Sequence, residues 1–87
     1  MLWEILLDIA KILGTDRCTL LGRAFHFDLG NGDWTVAISL DSMGRVRVDT
    51  CHFASVFATR WCRAGDSARL LVMVGESRDE AITARPV

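Results

Sequence analysis

Between Arg23 and Val48 the chain alternates apolar and polar residues with a period of two, and this run limits the fold more than any other feature. In RAFHFDL, Phe25, Phe27 and Leu29 share one face while Ala24, His26 and Asp28 share the other. In WTVAISL, Trp34, Val36, Ile38 and Leu40 alternate with Thr35, Ala37 and Ser39 in the same way. Asn31-Gly32 between them is the dipeptide a type I′ turn favours, because both central residues need positive φ. With that loop Leu29 pairs with Trp34, Phe27 with Val36 and Phe25 with Ile38, so every large apolar residue lands on one face. A slip of one residue would scatter them over both. The same parity test applies to Asp41–Arg45. A two-residue loop sets Arg45 opposite Leu40, whereas the three-residue loop Ser42–Gly44 sets Val46 opposite Leu40 and Val48 opposite Ile38. The second is expected, with Gly44 in the left-handed position of a G1 bulge.

Three antiparallel strands with one apolar face need a cover. Leu2–Leu13 supplies a helix. Its three polar residues, Glu4, Asp8 and Lys11, recur at helical spacing, and Gly14 ends it. The acids sit early and Lys11 late, which suits the helix dipole. The apolar arc is wider than one sheet face covers. Trp3 and Leu7 are therefore expected either in a homodimer contact or beneath C-terminal strands. Glu4, Asp8 and Lys11 interrupt the run, so it reads neither as a signal peptide nor as a membrane span. Farther along, HFASVFATRWCR fits a helix through Phe53, Phe57 and Trp61, yet it also fits a hairpin from Val56 pairing with ARLLVMVG; the hairpin is the reading adopted. Leu70–Val74 is then an inner strand, Glu76–Glu80 a polar loop and Ala81–Val87 a short edge strand. The expected fold is α+β: one N-terminal helix on an antiparallel meander of about five strands.

Eighty-seven residues suffice for one domain, spanning 1–87, because a second core would have too little chain to enclose it. Half of the residues are apolar and about a quarter charged, as in a globular chain. The net charge of −1 provides no global field toward nucleic acid or an anionic membrane. Residues 45–69 nevertheless carry five Arg against Asp49 and Asp66. Cys18, Cys51 and Cys62 cannot all pair within one chain, so reduced thiols and a cytoplasmic setting are expected, inside a host cell if the chain is phage-encoded.

No cofactor or metal is expected. DLGNGD lacks the oxygen spacing of a calcium loop. The three Cys and two His show no zinc spacing, and Cys51 and His52 point to opposite faces of a strand. Strand register does set Asp28, Thr35 and Cys51 in one row and His26, Ala37 and Asp49 in the next. A Cys51 nucleophile served by His26 and oriented by Asp49 is thus one reading, although an open sheet face supplies no oxyanion hole. RNA-recognition sheets interleave aromatics with basic residues, and the polar face from Phe25 to Cys51 has no aromatic, so direct nucleic-acid binding is not expected. The face does carry Arg45 and Arg47 beside small residues, with His26, Asp28 and Asp49. That set, joined by Arg60, Arg63 and Arg69, is the candidate partner surface, since guanidinium forks pair well with acids.

The helix, its stop and the segment HFDLGNGDWTVAISLDSMGRVRV resemble the first half of class I type III secretion chaperones. That resemblance covers about half the chain and implies a dimeric chaperone or adaptor that holds an extended effector. Small size, the lack of a catalytic motif and the polar sheet face favour first a non-enzymatic interaction protein that binds and blocks a larger protein or nucleoprotein machine, with no residue motif specific to that role. Phage or mobile-element inhibitors of the anti-CRISPR type are small single-domain chains of this kind. A Cys-dependent enzyme is the third reading.

Overall fold

The alternating run folds in the register that its parity demands. A computed structural model describes residues 2–30 and 33–84, with side-chain surroundings from residue 4 onward. In order the elements are α1 (Leu2–Leu13), β1 (Cys18–Leu21), β2 (Ala24–Asp28), β3 (Trp34–Leu40), β4 (Arg45–His52), β5 (Ser55–Arg63) and α2 (Ser67–Ala84). The strands form one antiparallel sheet in sequential order, so the α+β meander is as expected. Phe25 pairs with Ile38 and Phe27 with Val36, while Leu40 pairs with Val46 and Ile38 with Val48. Gly44 sits at φ 76°, the left-handed position expected of it. The expected positive φ at Asn31 and Gly32 lies outside the described residues.

Alternation buries one face of this sheet beneath both helices. Phe27, Val36, Ile38, Val48 and Cys62 form the core with Ile9 and Leu13 of α1 and with Leu70, Met73 and Val74 of α2. Gly14 closes α1 as expected: its N–H donates to the Lys11 carbonyl, and the Thr15 N–H donates to the Ala10 carbonyl.

The C-terminal third departs from the sequence reading. Leu70–Val74 is no strand, Glu76–Glu80 no loop, and residues 81–84 no edge strand; all lie in α2. Asp66 caps this helix, its Oδ1 accepting from the Arg69 N–H at 3.1 Å, and the first helical bond runs from the Leu70 N–H to the Asp66 carbonyl. Leu70, Met73, Val74, Ser77 and Ala81 are its buried residues, a helical spacing. A helix, not C-terminal strands, therefore shields α1. Arg78 fastens the two, donating from Nη1 to the Ile12 carbonyl at 2.9 Å. Leu7 remains 49% exposed, and the surroundings of the Trp3 side chain lie outside the described residues.

The other two corrections concern strands. β1, absent from the sequence reading, pairs with β2 across the tight turn Gly22-Arg23, where Gly22 takes φ 62°. The segment 55–63 is a strand, yet its partner is β4, not residues 70–74.

Candidate docking face

The uncovered sheet face is built by the residues that alternation turns away from the helices. β4 contributes Arg45, Arg47, Asp49 and Cys51, and β3 contributes Thr35, Ala37 and Ser39 between them and β2. On β5 a bulge interrupts the ladder between Thr50 and Cys51. Cys51 pairs with Val56 but Thr50 pairs with Ala58, so Phe57 is the extra residue. Everything beyond it changes face. Trp61 comes opposite Arg47 and Thr59 opposite Asp49 on the open side, whereas Arg60 comes opposite Val48 on the covered side.

The result is a cluster around Trp61, which is 42% exposed. The guanidinium carbon of Arg45 lies 4.4 Å from the ring centroid and that of Arg47 lies 5.7 Å away. Each such contact contributes about 0.5–1 kcal/mol at an exposed site. Arg63 stands directly opposite Arg45, a like-charge pairing that disfavours the sheet. Asp41 offsets part of it, accepting from Arg45 Nε at 3.0 Å and from the Arg45 and Met43 backbone N–H groups. Those bonds, led by the Arg45 backbone N–H, hold the Asp41 carboxyl below its ordinary pKa.

Asp49 is different in kind. Its side chain is only 7% exposed although it lies on the open face. It accepts from the Thr59 hydroxyl at 2.7 Å and pairs with Arg47 Nε at 3.1 Å. Burying a carboxylate is costly unless such partners are present.

The remaining candidates are dispersed. His26 and Asp28 occupy this face on β2, in successive rows. Asp28 accepts from the Gly30 N–H at 2.8 Å and pairs loosely with Arg17 at 3.9 Å, so it serves the turn. Arg69 is in the first turn of α2, on the other side of the sheet. Arg60 is turned inward. Its Nη1 and Nη2 donate to Glu80 Oε1 and Oε2 at 2.9 and 3.2 Å, and Glu76 lies 3.5 Å from Nε. Trp61 carries little site signal in the sequence: it stands two residues before Arg63, and only the pairing of β5 with β4 brings it beside Arg45 and Arg47.

The chemistry of Cys51 is muted. Its Sγ lies 4.0 Å from the Asp49 carbonyl oxygen, and burial first, then the Asp49 charge, pushes the thiol pKa up. Among the described residues no hydrogen bond joins it to His26, and no three His, Cys, Asp or Glu side chains converge as metal ligands. None of the described helices is long and apolar enough to cross a membrane.

Fold and face together define a small α+β domain with one side sealed by helices and the other open, floored by small residues and walled by an Arg–Trp cluster. No protein-family profile, curated protein or solved structure matches this chain.

Proposed function

We propose that this chain is a non-enzymatic interaction protein that binds and blocks a larger protein or nucleoprotein machine, docking through its uncovered sheet face. Inhibitors of the anti-CRISPR type, encoded by phage or mobile elements and acting in the host cytoplasm, are the class it fits. The observation that carries this reading is the exposed Trp61 under two guanidinium groups. Trp and Arg dominate binding hot spots, and an exposed aromatic flanked by like charges serves a partner better than it serves the sheet. Small, half-buried side chains at Ala24 and Ser39 let a partner approach the backbone closely. The raised thiol pKa of Cys51 and its lack of a bonded base favour this reading over a Cys-dependent enzyme. Three free cysteines accord with a reducing compartment.

The test is affinity capture from native-host lysate with the wild-type chain and an Arg45→Glu/Arg47→Glu variant. The wild type should retain a specific large partner and the double mutant should lose it. Losing one desolvated charged contact costs about 2–5 kcal/mol of affinity. Circular dichroism of the variant should keep the folded spectrum while its melting transition falls, because Arg47→Glu removes the cation paired with the nearly buried Asp49 carboxylate. Equal capture by a folded double mutant excludes this face.

A further inference from the structure

The buried carboxylate on an otherwise open face has a consequence for the kind of partner. We infer that Arg47 is the anchor of the docking face, oriented by Asp49 and Thr59, and that its partner is a protein surface presenting a Glu or Asp carboxylate to its guanidinium fork. This rests on the docking reading above and adds the chemistry of the contact.

Three observations converge on Arg47. Asp49 approaches the guanidinium at Nε, 3.1 Å away, so the ion pair fixes the near side of the group. That leaves the two terminal nitrogens, in the planar spacing that matches a carboxylate, for a second acceptor. The side chain is 44% exposed, so the fork is reachable. Asp49 is itself held by the Thr59 hydroxyl at 2.7 Å, and Trp61 flanks Arg47 from the neighbouring strand. Asp49, itself held by the Thr59 hydroxyl, and the Trp61 indole thus restrain one long side chain on a rigid strand. Preorganisation of that kind lowers the entropic cost of a bidentate contact. A solvated sheet face has no need of it.

Charge selects the carboxylate source. The face and its rim carry Arg17, Arg23, Arg45, Arg47 and Arg63 with Asp28, Asp41 and Asp49 set among them, each acid ion-paired to one of the Arg. The positive charge is thus interrupted by carboxylates and forms no continuous track for a phosphate backbone. The mixed pattern suits a folded partner surface, which carries isolated acids among neutral and basic groups. The neighbouring floor of Ala24 and Ser39 beside Arg47 leaves a shallow recess, also lined by Arg23, Leu40 and Asp41, into which an acidic side chain reaches.

The probe is a short polyglutamate peptide titrated into the isotopically labelled protein, with a single-stranded oligonucleotide of matched charge as comparator. Nuclear magnetic resonance reads the Arg47 Nε–H, the Trp61 indole N–H and the Ala37 and Ser39 amides. Saturable shifts at all four with the peptide, and weaker ones with the oligonucleotide, are expected. Arg47→Lys, which keeps the charge but loses the fork, should weaken peptide binding about tenfold. Thr59→Val should weaken it severalfold and broaden the Arg47 Nε–H signal, a response that mere loss of a structural contact elsewhere would not produce. Peptide shifts on the open face that Arg47→Lys leaves unchanged would overturn the anchor while the docking face stands. Shifts confined to the helices, or none at millimolar peptide, would overturn the anchor and count against the face as well. Tighter binding of the oligonucleotide would replace the protein partner with a nucleic acid.

Discussion

Phe53 adopts φ 55° in the turn between β4 and β5, the one non-glycine residue with positive φ among those described. For a bulky side chain this conformation costs about 1–3 kcal/mol. The turn tolerates it because the Phe53 N–H donates to the Asp33 carbonyl at 2.8 Å and its ring meets His52, which stacks on Trp34 at 4.5 Å. The ring itself is 66% exposed, so the strain is not offset by burial. Asn tolerates left-handed backbone without the extra chain entropy of Gly. Phe53→Asn should therefore raise stability in urea by about 1 kcal/mol over Phe53→Ala, which keeps the strain. Equal midpoints for the two variants would show that the turn is unstrained. The register that pairs Leu40 with Val46 and Ile38 with Val48 carries on to set His52 opposite Trp34, and the ladder shows that pair. No such rule foretold the Phe53 turn, because nothing about a Phe announces positive φ.

At the scale of elements, α2 is the part that the sequence concealed. LLVMV is apolar at every position, which suits a buried strand as well as a helix. Its helical face then continues through Ser77 and Ala81, small residues that a hydrophobicity pattern passes over. The Asp66 cap after Gly65 was the available signal, outweighed by the strand-like run. Gly75 lies inside this helix, and a methyl group there would meet only Ile12 Cγ2 at an ordinary 3.9 Å. Gly75→Ala should stabilise the protein by about 0.5–1 kcal/mol in urea unfolding. The docking of α2 rests on more than packing. Thr50 donates to Glu80 Oε1 at 2.7 Å and bonds buried Ser77, while Arg60 clasps both Glu80 oxygens. Arg60→Ala leaves a half-buried carboxylate without its cation and should cost about 1.5–3 kcal/mol, with the melting transition lowered accordingly.

For the molecule as a whole, that clasp contributes to the response to acid. Glu80 is held below its ordinary pKa, chiefly by the Arg60 hydrogen bonds, and Asp41 is shifted the same way. A depressed carboxylate contributes stability in full above its unfolded pKa, about 4.3 for Glu. The contribution is lost as pH falls through the lower folded value. Unfolding free energy should accordingly decline below about pH 5, and Glu80→Gln should flatten that decline while lowering stability at neutral pH. An unchanged slope in the variant would assign the acid response to other groups. The sequence by itself determined the helix 2–13, the three-strand register and the outward placement of Arg45 and Arg47. Each follows from a local period and from turns whose loop lengths leave one sensible parity. Only the tertiary structure decided which residue of β5 faces outward. An unbroken two-residue hairpin would set Arg60 beside Arg47 and send Trp61 into the core. The extra residue Phe57 reverses both, lodging against Trp34 at 5.4 Å between ring centroids, while Arg60 finds Glu80 on a helix twenty residues away. A bulge is selected by what its side chains meet on either face, and those partners lie far along the chain.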